Sequence, residues 1–131
     1  MEPMKADYLI IGAGAWGTAL GLHLANNRRR VLLWSRDADH AEALEKDREN
    51  KKYLPGFAFP SNLQVSRHLL EDLHAVERIL FAVHSHAFRE MLEYCVHDYP
   101  KEKGIIWATK GLDPTTGKLL GAVVDEIFGA S

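Results

Sequence analysis

The sequence predicts a single α/β domain built on a doubly wound, mainly parallel sheet, and three observations carry that prediction. Apolar runs with the length of strands alternate with stretches of helical periodicity along the whole chain. The strand runs are continuously apolar rather than alternating, the pattern of strands covered by helices on both faces. The first of them also runs straight into a glycine pattern that opens a helix. Right-handed crossovers between such units give an expected strand order of 3-2-1-4-5. A length of 131 residues suffices for about one domain with a real core.

Each element has its own signal. Asp7 to Gly12 (DYLIIG) reads as the first strand, and residues 15–27 as the helix after it, with Gly17, Leu20, Gly21 and Leu24 forming the inward face at helical spacing. Arg30 to Ser35 (RVLLWS) is the second strand. Residues 38–47 form a polar helix with Ala41 and Leu44 inward. Residues 48–62, with two prolines and a glycine, read as a loop. Leu63–Ser66 is a short third strand, Leu69–Ala75 a short helix, and Arg78–Val83 (RILFAV) the fourth strand. Ser85 is placed to cap the next helix, whose buried face is Phe88, Met91, Leu92 and Cys95. Gly104 to Thr109 (GIIWAT) is the fifth strand. The last helix carries Leu120, Val123, Val124 and Ile127 on one side, with Asp113-Pro114 as its expected cap and first turn.

Composition narrows the function classes. With 47% hydrophobic and 26% charged residues and a net charge of -2, the chain is ordinary for a globular domain, and neither a nucleic-acid partner nor an anionic membrane surface is expected. The one basic run, Arg28-Arg29-Arg30, falls where the first helix ends, where cations complement the helix dipole. A lone Cys95 excludes an internal disulfide framework and a Cys-based zinc site, and the seven histidines form no HExxH pair, so no metal site is expected. The first residues show no signal-peptide pattern, and no segment approaches the roughly 20 apolar residues of a membrane span, so a cytoplasmic setting without membrane insertion is the expectation.

The chemistry sits first in Gly12-Ala13-Gly14-Ala15-Trp16-Gly17, a GxGxxG that follows a predicted strand and opens a predicted helix. In such a Rossmann-type turn Gly12 permits the tight bend, Gly14 lets the backbone approach a pyrophosphate, and Gly17 lets helix and sheet pack closely. The N–H groups of Ala15 and Trp16 then point at the phosphates, helped by the helix dipole. Trp16 lies off the packed face and is expected on the cofactor side, against the alternative of a Trp covering the sheet edge. NAD-specific domains usually carry an acid about 20 residues past the loop; here Ser35 stands at that place and Arg36 follows. A guanidinium pairs with a 2′-phosphate or stacks on adenine, so NADP(H) is favoured, with NAD(H) tolerated, against the alternative of a solvent-facing Arg36. Asp37 is expected to cap the following helix. Lys110, in Thr109-Lys110-Gly111 after the fifth strand, is a cation beside the expected nicotinamide end and suits an anionic or hydroxylated substrate, although a loop lysine in solvent is the plainer reading.

These residues together resemble bacterial NAD(P)-dependent glycerol-3-phosphate dehydrogenases. IGAGAWGTAL (11–20), VLLWSRD (31–37), NKKYLPGFAFP (50–60), the SHAF stretch (85–88) and WATKGLDPTTGKLL (107–120) occur in the family's order and cover essentially the whole chain. The resemblance implies reduction of dihydroxyacetone phosphate by NAD(P)H to sn-glycerol 3-phosphate, which supplies phospholipid synthesis, with a lysine ammonium assisting at the developing alkoxide. It implies cofactor contacts at Ala15, Trp16, Arg36 and Lys110, and a substrate contact at Lys110.

The chain departs from the family in three places. His84 stands where the family usually has Pro, Ala15 replaces a common Ser, and the family's helical domain, with its catalytic lysine, is expected to lie outside these 131 residues. No residue here is therefore expected to be catalytic, and the isolated chain is expected to be inactive. A homodimer is compatible with this reading. The alternatives are a stand-alone dinucleotide-binding or sensor module without catalysis, and a related hydroxyacid or ketopantoate-type reductase, against which YLPG and ATKGL argue.

Overall fold

A computed structural model describes residues 6–109 and 111–129. Its centre is a five-stranded parallel sheet of β1 (Ala6–Ile11), β2 (Val31–Trp34), β5 (Leu63–Ser66), β6 (Val76–Phe81) and β7 (Ile106–Trp107), in the order β5-β2-β1-β6-β7. Counting only the strands of this sheet, that is 3-2-1-4-5, as expected. The chain winds outward from β1 to β2 and β5, then returns to β6 beside β1. The sequence order therefore reverses between β1 and β6, and the carboxyl ends of these two strands open a crevice.

The helices α1 (Ala15–Asn26), α2 (Ala38–Asp47), α3 (Leu69–Ala75), α4 (Ser85–Cys95) and α5 (Leu120–Phe128) cover both faces of the sheet. The central strand β1 shows why its run is continuously apolar. Leu9 and Ile11 join the core built with β6, α3, α4 and α5, whereas Ile10 joins the opposite core with Val31, Leu33, Leu63 and α1. Burial follows the pattern expected for α2 and α4: Ala41 and Leu44 are buried, as are Phe88, Met91, Leu92 and Cys95. In α5 Leu120 and Val123 are buried, with Val124 and Ile127 packed against them.

Several expectations are corrected. Residues 48–62 are not only loop: β3 (Glu49–Asn50) and β4 (Leu54–Ala58) form an antiparallel hairpin outside the main sheet. Pro55 and Gly56 signal a break, but both are tolerated in a short strand with a free edge. The inward face of α1 is Gly17, Thr18, Gly21, Leu22 and Ala25, with Leu20 and Leu24 only partly buried. Small residues let this helix lie close to the sheet, and an added Cβ on Gly21 would already touch Ile10 and Leu63 at 3.4 Å. Ser85 is the first residue of α4 rather than its cap; the cap is His84, with no side-chain capping bond. Asp113-Pro114 does not begin α5, which starts six residues beyond Pro114. Asp113 instead accepts bonds from the Thr116 N–H (3.0 Å) and hydroxyl (2.6 Å), an Asx-type turn that competes with helix initiation. The fifth strand is only two residues long, and Ile106 and Trp107 are partly exposed on the sheet edge.

Candidate functional site

At the switch point the strand ends and their loops enclose a cleft of about 890 Å³, at the upper end of the usual range of roughly 300–1,000 Å³ for ligand pockets. One wall is the glycine loop from Gly12 to Gly17; the rest comes from Trp34–Asp37 after β2, Ala82–Ala87 after β6, and Ala108 and Thr109 after β7. His40 and Tyr53 close it from α2 and the hairpin.

The three glycines differ physically. Gly12 has a φ of 124°, and a Cβ there would lie 2.3 Å from the carbonyl oxygen of Ala82. A Cβ on Gly17 would lie 1.9 Å from the carbonyl oxygen of Gly12, so the helix start is pressed directly onto the turn. Around Gly14 there is nothing within 4 Å of a Cβ position, and its backbone is extended, with φ -81° and ψ -166°. Two glycines are therefore required by packing, and the third stands before open space at the N-terminus of α1. That terminus has no side-chain cap, and a helix start with free donors and a positive dipole end favours an anion. The residues present thus fit a diphosphate: an uncapped helix start, a backbone stripped of Cβ where close approach is needed, and room beside it.

Trp16 is 56% exposed and lines the cleft, off the packed face of α1 as expected. Ser35 is buried, its hydroxyl 3.2 Å from both the N–H and the carbonyl oxygen of Asp37. Asp37 caps α2 through the N–H groups of Asp39 (2.9 Å) and His40 (3.3 Å), as expected. Arg36 lines the cleft with its side chain 59% exposed, and its guanidinium bonds Glu90 on α4 at 2.6 Å. His84 and His86 stack with ring centroids 5.4 Å apart on the β6 side. Lys110 lies outside the described residues.

Sequence reasoning missed the residues that hold the loops. Asn50 is fully buried and donates to the carbonyl oxygen of Ala13 at 3.0 Å and to the Thr18 hydroxyl at 2.8 Å. His40 Nε2 lies 3.0 Å from the same Ala13 oxygen; a carbonyl only accepts, so this nitrogen carries the hydrogen. On the other side Thr109 donates to the Val83 carbonyl at 2.7 Å. The segment after residue 110 is tied down by Asp113, which also pairs with Arg89 at 3.2 Å, while Arg89 bonds Glu126 as well. The bonds from Thr116, then Arg89, hold the Asp113 carboxyl below its ordinary range, and Arg89 followed by Lys118 does the same for Glu126. The available signal for Asn50 was its place at the head of the NKKYLPGFAFP stretch, a pattern too specific for an unconstrained loop.

Residues 8–131 match the family model of the NAD-dependent glycerol-3-phosphate dehydrogenase N-terminus. The chain belongs to the glycerol-3-phosphate dehydrogenase family. It is 44% identical over 126 residues to the glycerol-3-phosphate dehydrogenase [NAD(P)+] of Colwellia psychrerythraea, covering 96% of this chain and 38% of that protein. With the enzyme of the same name from Methylococcus capsulatus it shares 47% over 127 residues, again 96% of this chain and 38% of the relative. The crystal structure of the Coxiella burnetii glycerol-3-phosphate dehydrogenase superposes with a TM-score of 0.89 at 38% identity, over 98% of this chain and 39% of that one. The chain thus spans under two fifths of the length of these family members. A prephenate dehydrogenase from A. aeolicus, at 11% identity and a TM-score of 0.65 over 98% of this chain and 40% of that one, shares the fold alone. No helix among the described residues is long and apolar enough to cross a membrane.

Proposed function

We propose that this chain is the NAD(P)(H)-binding Rossmann domain of a glycerol-3-phosphate dehydrogenase acting on dihydroxyacetone phosphate and sn-glycerol 3-phosphate. The observation that carries it is the difference among the glycines: Gly12 and Gly17 are locked by packing, whereas Gly14 faces open space at an uncapped helix start. The diphosphate lies against Gly14 and takes the N–H groups of Ala15 and Trp16. Gly12 and Gly17 keep that backbone in place. Arg36, at the end of β2, meets the adenosine ribose, and its charge favours the 2′-phosphate of NADP(H) over NAD(H). Reduced nicotinamide, when bound, supplies the hydride for the ketone carbon of the substrate.

Lys110, next to the cleft-lining Thr109, is assigned to hold the anionic substrate and the neighbouring part of the cofactor. The catalytic lysine and most phosphate anchors belong, on this reading, to a helical domain outside these residues. Groups that act as a unit lose activity together, so these 131 residues bind cofactor without turning over substrate at an enzyme-like rate.

Two measurements test this. Calorimetric or fluorescence titration of the 131-residue chain is expected to show binding of NADPH and, more weakly, NADH; no binding of either at millimolar concentration overturns the reading. Absorbance at 340 nm with NADPH and dihydroxyacetone phosphate is expected to stay flat. Robust substrate-dependent oxidation would place a catalytic group within this chain, with Lys110 and His84 examined first.

A further inference from the structure

The NKKYLPGFAFP stretch has no part in the cofactor contacts above, yet its first residue reaches the centre of the glycine loop. Asn50 ends the first strand of the hairpin, is fully buried, and uses both ends of its amide. Its Oδ1 accepts from the Tyr53 N–H at 3.1 Å, which fixes which end of the amide is oxygen. Its Nδ2 is therefore the end that meets Ala13 and Thr18, where two acceptors await two hydrogens. His40 brings a second donor to the same Ala13 oxygen from α2. Its ring is held edge-on against Tyr53, with centroids 5.2 Å apart.

We propose that Asn50 and His40 are positioning residues that clamp the Ala13 carbonyl and thereby present the Gly14 N–H to the diphosphate of a bound dinucleotide. The inference rests on the dinucleotide-binding reading. A trans peptide is planar, with its N–H opposed to its C=O. Drawing the Ala13 oxygen inward onto Asn50 and His40 therefore turns the Gly14 N–H away from them, on the stretch that lines the cleft. The same peptide turned over would set a carbonyl oxygen against an anion. With two donors from separate elements on one oxygen, the loop is ordered before the ligand arrives, and the cost of ordering it is not taken from binding. Thr18, sharing the Asn50 amide, ties this clamp to the first turn of α1.

The test uses the 131-residue chain with Asn50→Ala and His40→Ala. NADH and ADP-ribose, which carry a diphosphate, are titrated by calorimetry; adenosine, which carries none, is titrated by NMR. The Gly14 amide signal of labelled protein is followed throughout. Asn50→Ala is expected to weaken both diphosphate ligands by about tenfold or more and His40→Ala by roughly threefold, as for loss of part of a charge-assisted bond. Adenosine affinity is expected to change less than about twofold, and the shift of the Gly14 amide on NADH binding to shrink in both variants. Folded variants that bind NADH as tightly as the parent chain would overturn the clamp, and so would equal losses for adenosine and NADH. If Asn50→Ala fails to fold, His40→Ala, whose side chain is only half-buried, decides alone. A parent chain that binds no dinucleotide removes the underlying reading instead.

Discussion

Glu90→Gln should tighten NADPH binding and leave NADH nearly unchanged. Arg36 is engaged with Glu90 at 2.6 Å, and the two side chains are 59% and 60% exposed. At that exposure the pair is worth about 0.2–1 kcal/mol. A 2′-phosphate must compete for the same guanidinium, so removing the carboxylate returns that amount to NADPH, a tightening of roughly 1.4- to 5-fold. NADH carries no 2′-phosphate and gains nothing from a freed Arg36. The converse change, Arg36→Ala, removes a charge-assisted contact of about 1.5–3 kcal/mol, offset by the pair it no longer breaks. The net loss of NADPH affinity is then between about 2- and 100-fold. Calorimetric titration of both cofactors at low and raised salt measures this directly, and the Glu90→Gln gain should fade as salt screens the pair. Equal tightening of both cofactors by Glu90→Gln, or no change in either, would refute the competition. Equal losses of both on Arg36→Ala would show that the guanidinium stacks on adenine and does not read the phosphate.

The glycines give a paired test: Gly17→Ala should destabilise the fold by at least about 1–3 kcal/mol, seen as a lower urea midpoint, because the new Cβ meets the Gly12 oxygen. Gly14→Ala should leave stability, read from the urea midpoint, unchanged or raised by up to about 1 kcal/mol, while filling the diphosphate space and lowering NADH affinity by about tenfold or more. Asp113 has its carboxyl held low by Thr116 and Arg89, so its contribution is full above the ordinary carboxylate range and is lost as pH falls through the lowered value. The stability gap between the parent chain and Asp113→Asn should therefore shrink in thermal melts taken from about pH 7 to about pH 3. Burial pushes the Cys95 thiol up to about 12, so iodoacetamide at mildly alkaline pH should label it only after denaturation, as read by mass spectrometry.

The sheet was legible because burial on two faces leaves a one-dimensional trace. Ile10 faces one core and Leu9 and Ile11 the other, so the run is apolar throughout, and the same holds for β2 and for the Ile79–Phe81 half of β6. Gly12 and Gly17 were legible because each meets a local packing constraint, and Gly14 because it falls at its fixed place between them. What escaped were contacts with no period. Asn50 reaches Ala13 across 37 residues and Arg36 meets Glu90 across 54, and neither partner marks the other in sequence. Asp113 misled for a related reason: an Asp-Pro pair satisfies the rule for a helix start, but Thr116 three residues on offers the Asp a turn of its own, and Gly117 at a φ of 72° continues it. The inward face of α1 was displaced because a pattern of Leu and Gly suggested a larger apolar stripe. Close approach to the sheet favours Thr18 and Ala25 instead.

A parallel sheet by itself delivers its strand ends to one side and says nothing about the loops that follow them. Here the cleft-forming loops are each held by a side chain bonding backbone. Asn50 and His40 hold the loop after β1, Ser35 closes the turn after β2 onto Asp37, and Thr109 holds the exit of β6 at Val83. A buried carbonyl or N–H with a fixed partner cannot turn over without losing a bond, and each such loss costs roughly 1–3 kcal/mol. The site is therefore stiff where, on the proposed reading, N–H groups meet the diphosphate. It is more adaptable where the exposed Arg36–Glu90 pair can exchange partners at about 0.2–1 kcal/mol. On the proposed reading, binding of the shared diphosphate and discrimination at the 2′-position rest on separate residues, so substitutions at Asn50 and Glu90 should combine additively in NADPH affinity.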